Sequence, residues 1–432
     1  MLHLADKNVS SLTLGDKFRE IREYKNISQA ALSSILGRSV SAISRFERGQ
    51  GDLSSEQILE IRKVLDVEDA PIFDDEVIAF KKQLYLWRHL IKDKRIDEAL
   101  RNQQKLSVIE KLPYEKDLNL IFKLFGIRLV MAQRKIEEAK EMMDDLEVQV
   151  KNASNEVKYH YQYNIGALLI YQRNFEDALT HFLIAYDLKA SILEPDPAIY
   201  FNLAFCYSRL GMYVRTVTTL REAYSLFEYS KTNMLGAFVD NMMAANYIYI
   251  GHISKAQELL ENSLSEARAN DNKLYISYAL HNFGCASFAL GEHDKAIEYF
   301  NQSLAYCEGD DDEYLKTLYY KVRCMIANKN PEAKALIQKG ISMSKDSEHH
   351  QILFSSLSHI TTLKEPSSKQ YIDEITIPHL LSRYEHCDAL YFCRLLEKAY
   401  TKNGVKSKKA LEAKATAANI YEKIMSGGGA TL

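Results

Sequence analysis

The chain has 432 residues, a net charge of −3 and 47% hydrophobic residues. That length suits two or three ordinary domains, or one small domain followed by a repeat array, and the near-neutral charge excludes a surface that is basic throughout, so any nucleic-acid-binding face must be local. Pro (7) and Gly (17) are too few for the many turns of a β-sandwich, and Ala, Leu, Glu, Lys and Ile dominate, as in all-helical proteins.

The six cysteines include no C-x-x-C pair. This points to reduced thiols in a cytoplasmic protein and speaks against a zinc site. The N-terminus has no basic stretch leading into an apolar run, so no signal peptide is expected. No apolar run approaches the ~20 residues that span a bilayer, so no membrane partner is expected. The end, SGGGATL (426–432), reads as a flexible tail.

In chain order, Leu14, Phe18, Ile21 and Arg22 set a 3.6-residue period for a first helix. Ser28 is placed to cap a second, with Ala31, Leu32 and Ile35 as its apolar stripe. Gly37 ends it by allowing a left-handed backbone, and Ser39 caps a third helix carrying Val40, Ile43 and Phe46. Gly49 and Gly51 stop that helix, and Ser54 or Ser55 starts a fourth. Short helices joined by a tight Gly turn predict a helix-turn-helix. Between Lys17 and Arg48 there are seven basic and three acidic residues, against ten and eleven across residues 1–70. The positive charge is therefore gathered around the two central helices, where phosphates would lie.

The segment LGDKFREIREYKNISQAALSSILGRSVSAISRFERGQ resembles the N-terminal domain of Xre and phage-repressor regulators. Leu14, Gly15, Ile21, Arg22, Ser28, Gln29, Leu32, Leu36, Gly37, Ser39, Ser41, Ile43, Ser44, Glu47 and Gly49 meet that pattern in register. The resemblance implies that Gln29 contacts a phosphate and that the helix Ser39–Glu47 enters the major groove. Val40, Ser41 and Arg45 are then expected near base edges, and Arg38 and Arg48 on phosphates. Val40 and Ala42 replace polar residues of many relatives, which suggests contact with thymine methyls. A head used only for dimerisation is the plainer alternative; the retained arginines argue against it.

Domain boundaries are expected at 1–68 for this head, 69–80 for an acidic linker holding Pro71, 81–425 for a repeat domain and 426–432 for the tail. In the repeat domain a small residue recurs at Ala99, Ala139, Ala178, Thr216, Ala256 and Ala296, at spacings of 40, 39, 38, 40 and 40. A small residue at such a period lets two antiparallel helices approach closely, and each hairpin stacks on the next. The hairpins resemble tetratricopeptide repeats lengthened to ~40 residues. The fold expected is all-α: the head followed by a right-handed superhelix of such hairpins. A further hairpin is expected at 314–345, two more within 346–425, and a last helix at Ala410–Met425.

The first helix of each hairpin lines the concave side of such an array. By register, Arg88, Arg128, Tyr163 and Asn164 face it in the early repeats, with His160 beside them. Phe201, Asn202, Phe205 and Asn241 follow, then Tyr278, His281, Asn282, Phe288 and Tyr320. Asn164, Asn202 and Asn282 hold the same repeat position, and Asn241 lies one residue earlier. Two readings stand for each: a hydrogen bond between neighbouring repeats, or an amide that satisfies the backbone of a bound peptide. Arg88 and Arg128 are candidates for a peptide carboxylate.

A DNA-binding head fused to such an array resembles the RRNPP group of peptide-pheromone receptors (Rap, Rgg, NprR, PlcR and the arbitrium receptors). That resemblance implies a cytoplasmic, non-enzymatic quorum-sensing regulator. Its partners would be promoter DNA, a short signalling peptide, and a second copy joined through the C-terminal repeats. Two alternatives are a response-regulator phosphatase or sequestering protein of Rap type, with Glu98, Gln103 or Gln104 positioning a water, and a scaffold for protein partners. No nucleotide-binding motif occurs, no cofactor or metal is expected, the acidic run EGDDDE (308–313) lacks EF-hand spacing, and His349-His350 reads as a loop pair.

Overall fold

A computed structural model describes residues 12–194, 196–227, 233–307, 312–402 and 405–425. The N-terminal residues, the segment 426–432 expected as a tail and most of the acidic run at 308–313 lie outside the described residues. The chain divides into two compact units, residues 1–199 and 200–432.

The first unit opens with α1 (Leu14–Tyr24), α2 (Gln29–Ile35), α3 (Val40–Glu47) and α4 (Ser55–Val64). Each begins at a side-chain cap: Thr13, Ser28, Ser39 and Ser54 accept from backbone N–H groups of the first turn. Gly37 and Gly49 take positive φ, 61° and 66°, and end α2 and the turn after α3. Gly15 is required by close approach, because a Cβ there would lie 1.9 Å from the Phe46 carbonyl oxygen of α3.

Seven more helices build the hairpins of this unit. They are α5 (Asp74–Lys92) with α6 (Ile96–Leu106), α7 (Lys116–Ala132) with α8 (Ile136–Asp144) and the single turn α9 (Glu147–Val150), and α10 (Asn155–Tyr171) with α11 (Phe175–Asp187).

The stretch expected as a linker, 69–80, is mostly ordered structure. α5 starts at Asp74, and Ala70 and Ile72 are buried. Arg62 of α4 forks onto Glu76, with Nη1–Oε1 at 2.9 Å and Nη2–Oε2 at 3.1 Å, and also donates to the Ala70 carbonyl. Glu76 in turn accepts from the Ile72 and Phe73 amides, capping α5. Lys17 of α1 donates to the Ile72 carbonyl at 2.9 Å and to Asp74 at 2.8 Å. Burial alone would raise Glu76, but Arg62 and the two amides more than offset it and hold its carboxyl below the usual range. Phe18, Ile61, Val67, Ile72, Phe80 and Trp87 belong to one hydrophobic cluster, so head and first hairpin share a core.

The second unit holds the rest of α12 (Ala198–Arg209), which spans the boundary, and α13 (Tyr213–Phe227). Then come α14 (Asn233–Tyr249) with α15 (Ile253–Ala269), α16 (Lys273–Ala289) with α17 (His293–Leu304), and α18 (Asp312–Ala327) with α19 (Ala333–Met343). The C-terminal part is α20 (Glu348–Thr361), α21 (Pro366–Tyr371) and α22 (Ile377–Ser382) joined by a π-turn, α23 (His386–Tyr400) and α24 (Lys408–Met425). A two-residue antiparallel pairing, Thr401–Lys402 with Val405–Lys406, joins α23 to α24.

All six recurring small residues, from Ala99 to Ala296, are 0% exposed. They mark the contact line of each hairpin, and it is on the partner helix that the fit is tightest. A Cβ on Gly166 would lie 2.8 Å from the Phe182 ring, and one on Gly284 2.5 Å from the Phe300 ring. Gly284→Val is expected to lower the stability of the second unit by about 1–3 kcal/mol through overpacking, read as a lower urea midpoint at unchanged slope.

Candidate functional site

In the head, the N-terminal end of α3 is presented outward. Arg38, Ser39, Val40, Ser41, Arg45 and Arg48 are exposed, and Val40 is 45% exposed although apolar. Arg38 and Arg45 enter no ion pair among the described residues, whereas Arg48 folds back to donate to the Ser44 carbonyl at 3.1 Å. The free amides of the first α3 turn add a partial positive charge to the same end. Gln29 is only half-exposed. Its Nε2 donates to Glu47 Oε2 at 2.7 Å, and Glu47 is gripped by Arg22 through Nε (2.6 Å) and Nη2 (2.8 Å). The network orients Gln29 from beneath and locks α1, α2 and α3 together; one side of its amide is already committed.

Within the first unit, Arg88, Arg128 and Tyr163 line a cavity of about 290 Å³ with Lys92, Lys94 and Asp196. Arg88 Nη1 donates to Asp196 at 3.2 Å, and Arg128 Nη1 lies 3.9 Å from the same carboxylate. Arg128 stacks 4.0 Å above the Tyr163 ring. Burial alone would raise Asp196, but Arg88 and Arg128 more than offset it and keep its carboxyl below 3.8. The carboxylate expected from a peptide is thus already supplied by the chain.

Asn164 is also corrected. It is 0% exposed, donates to the Leu124 carbonyl at 2.8 Å and accepts from Arg128 Nε at 2.8 Å. Both ends of its amide are used between α7 and α10, so it is a helix-packing residue and not part of a ligand-facing ladder. His160 beside it is fully buried between Arg128 and Tyr85, and burial keeps it neutral.

The second unit brings five expected residues to one cavity of about 220 Å³: Phe205, Asn241, Tyr278, His281 and Asn282. Phe201, Asn202 and Tyr320 do not line it. Phe201 rests on Phe238 with centroids 5.6 Å apart, Asn202 sits half-buried on α12, and the Tyr320 hydroxyl is turned to Asp388 at 3.0 Å, beside Arg323. The Asn282 amino group donates to Asn241 Oδ1 at 2.9 Å. His281 bonds Thr317 at 2.9 Å, and burial holds it neutral.

The register reading missed Phe238, Tyr249, Cys285, Glu313 and Lys316 in the same wall. Their spacing carries the signal: Lys316 is i+3 from Glu313, Cys285 is i+4 from His281, and Tyr249 is i+8 from Asn241. Burial pushes the Cys285 thiol up to about 12, so it lines the cavity as a neutral group. Glu98, put forward for water activation, is held by Arg95 at 2.6 and 2.8 Å on an exposed face.

Asp196→Ala leaves two buried arginines facing each other and is expected to cost about 3–5 kcal/mol, read as a drop in thermal midpoint. Because the folded-state carboxyl is held below the usual carboxylate range, this contribution is fully present above that range and is lost as acid protonates the carboxylate. The gap between wild type and variant should therefore close as the pH falls below the usual carboxylate range.

Residues 13–72 match a helix-turn-helix domain family. Response regulator aspartate phosphatase A of Bacillus subtilis (strain 168) is 25% identical over 372 residues, covering 78% of this chain and 91% of that protein. Among solved structures, the apo form of the quorum sensor NprR from B. thuringiensis aligns with a TM-score of 0.64 at 21% identity, over 80% of this chain and 98% of that one. A Rap protein complexed with Competence and Sporulation Factor aligns at 0.64 and 19% identity, over 81% and 97%. No described helix is long and apolar enough to cross a membrane. The chain thus carries a matched helix-turn-helix domain at its N-terminus and shares the all-helical, tetratricopeptide-like fold of the solved NprR and Rap structures.

Proposed function

We propose that this protein is a transcription regulator of the RRNPP type: its head binds promoter DNA, and a short peptide bound in the second unit controls it. Residues 1–68 form the reading head and the hairpins of 81–425 carry the peptide site and the dimer contact. The protein acts by binding, with no chemical step. The observation that carries the peptide half is the Asn241–Asn282 pair at the cavity. One donor and one acceptor are spent between the two amides. The Asn241 amino group and the Asn282 carbonyl remain, a donor beside an acceptor, which matches one peptide group of an extended chain. Phe205, Phe238, Tyr249 and Tyr278 give an apolar wall for a side chain, and Lys316 and Glu313 offer charge at its edge.

The reading is supported by NprR, which has been solved in complex with its cognate peptide NprX, at a TM-score of 0.64 to this chain. The DNA half rests on exposed Arg38 and Arg45 flanking the outward end of α3. A peptide shifts DNA binding only through its different affinity for two shapes of the protein.

The second reading, a Rap-type protein acting on a response regulator, is favoured by the 25% identity to phosphatase A. It predicts loss of phosphate from a phosphorylated receiver domain on mixing, whereas the present reading predicts none.

Two variants separate the halves. Arg38→Ala with Arg45→Ala should weaken binding to the protein's own promoter and lower the salt slope by about 0.9 for each phosphate no longer neutralised, leaving peptide titration unchanged. Asn282→Ala should weaken a peptide selected from a short-peptide library by about tenfold, leaving DNA binding by the peptide-free protein unchanged. Loss of both activities in each folded variant would contradict the division of labour.

A further inference from the structure

The cavity beside Asp196 in the first unit gathers more positive charge than the chain neutralises. Arg88 and Lys92 of α5, Lys94 in the turn that follows and Arg128 of α7 all line it. Among the described residues Asp196 is the one carboxylate in that lining. Glu194 stands close by, 3.8 Å from Arg88 and 3.0 Å from His89. Four cations thus face two carboxylates. Lys92 and Lys94 are exposed and enter no ion pair among the described residues.

The buried guanidinium groups are under-used as well. Arg88 is 6% exposed, yet its Nη2 comes only within 3.8 Å of Glu194, and Arg128 Nη1 only within 3.9 Å of Asp196. Both distances exceed a hydrogen bond, and a guanidinium taken out of water is costly unless its N–H groups find acceptors. Tyr159 is buried and packs on Tyr163 with ring centroids 6.2 Å apart, and its hydroxyl has no partner among the described residues. Burial, and then the Asp196 charge, push that phenol well up, so it keeps its proton. Every uncommitted polar group at this place is therefore a donor, and all but the phenol are charged.

We infer that this cavity is a binding site for a small organic dianion, a phosphate monoester with a short apolar or aromatic body. Two negative charges match the surplus of two positive ones, whereas a monocarboxylate would neutralise half of it. A phosphate also offers three acceptor oxygens, enough to be shared between the free ends of Arg88 and Arg128 and the two ammonium groups. Ile91, Met131, Tyr163 and Tyr171 supply the apolar and aromatic part of the wall against which the body packs. The volume of about 290 Å³ lies at the small end of ligand sites and suits a small molecule. The ligand differs in chemistry from a peptide, and the cavity belongs to the first unit, whereas the Asn241–Asn282 cavity belongs to the second.

The site goes beyond the proposed regulator and is tested without DNA or peptide, so its failure and the failure of that reading are separate results. The probes are phenyl phosphate, benzoate and benzyl alcohol, titrated calorimetrically into the full chain at low salt and about pH 8, where a phosphate monoester is a dianion. Phenyl phosphate is expected to saturate at one per chain, benzoate to bind about tenfold more weakly, and benzyl alcohol to give no more than heat of dilution. Lys92→Ala with Lys94→Ala should weaken phenyl phosphate about tenfold. Both positions are exposed, and circular dichroism checks that the fold is kept. Arg38→Ala with Arg45→Ala should leave it unchanged, which separates this cavity from a phosphate held by the head. Absence of binding by phenyl phosphate would overturn the inference. So would equal binding of benzoate or benzyl alcohol, indifference to loss of both lysines, or loss of binding in the Arg38 and Arg45 variant.

Discussion

The structure depends on how close two antiparallel helices can come. A small residue is buried where the helices of successive hairpins meet, and in two hairpins a ring on the second helix fills the space left by a glycine on the first. Phe182 against Gly166 and Phe300 against Gly284 leave no room for one more carbon. That constraint fixes the register of each hairpin, and register decides which side chains of the first helix point away from the contact. The cavity at Asn241 and Asn282 follows from it: both residues stand on first helices, α14 and α16, turned away from the line marked by Ala256 and Ala296. A binding surface of this kind is a by-product of periodic packing, and its chemistry can be changed without altering the hairpins beneath it.

Buried charge forms a second layer of organisation. Arg22 with Glu47, Arg88 with Asp196, and Arg323 with Asp388 are each sunk and paired across elements distant in sequence. Such pairs add little net stability compared with apolar residues of the same shape, but they penalise every arrangement that separates them. They select one packing among several of similar apolar content. Arg22–Glu47 does this for the first three helices of the N-terminal head, and Arg323–Asp388 for α18 against α23.

Much of the fold was legible in the sequence because it rests on local rules. Ser28, Ser39 and Gly37 act through their own caps and backbone angles, and the small residues from Ala99 to Ala296 act through a fixed period. The binding surface was less legible. Asn164 and Asn282 hold the same repeat position and Asn241 lies one residue earlier, yet Asn164 is consumed by Arg128 and Leu124 while the other two share one bond at a cavity. The difference depends on what the neighbouring helix offers. Arg88 and Arg128 read as free cations because their partner, Asp196, is 108 and 68 residues away in the chain. Pro71 and the acids around it look like a loose linker, but the carboxylate of Glu76 is the group that Arg62 grips with both ends of its fork.

That junction has a mechanical meaning. Arg62 holds both oxygens of Glu76 and the Ala70 carbonyl, Lys17 holds Ile72 and Asp74, and apolar residues fill the space between them. Hydrogen bonds and a shared core thus fasten the head to the first hairpin. At a junction fastened in this way a tilt of α5 is expected to carry α1 and α4 with it, as by a crank keyed to its shaft, instead of being absorbed by a swivel. Adjusting where the arginines of α3 point then requires leverage on the hairpins and no unfastening of the head.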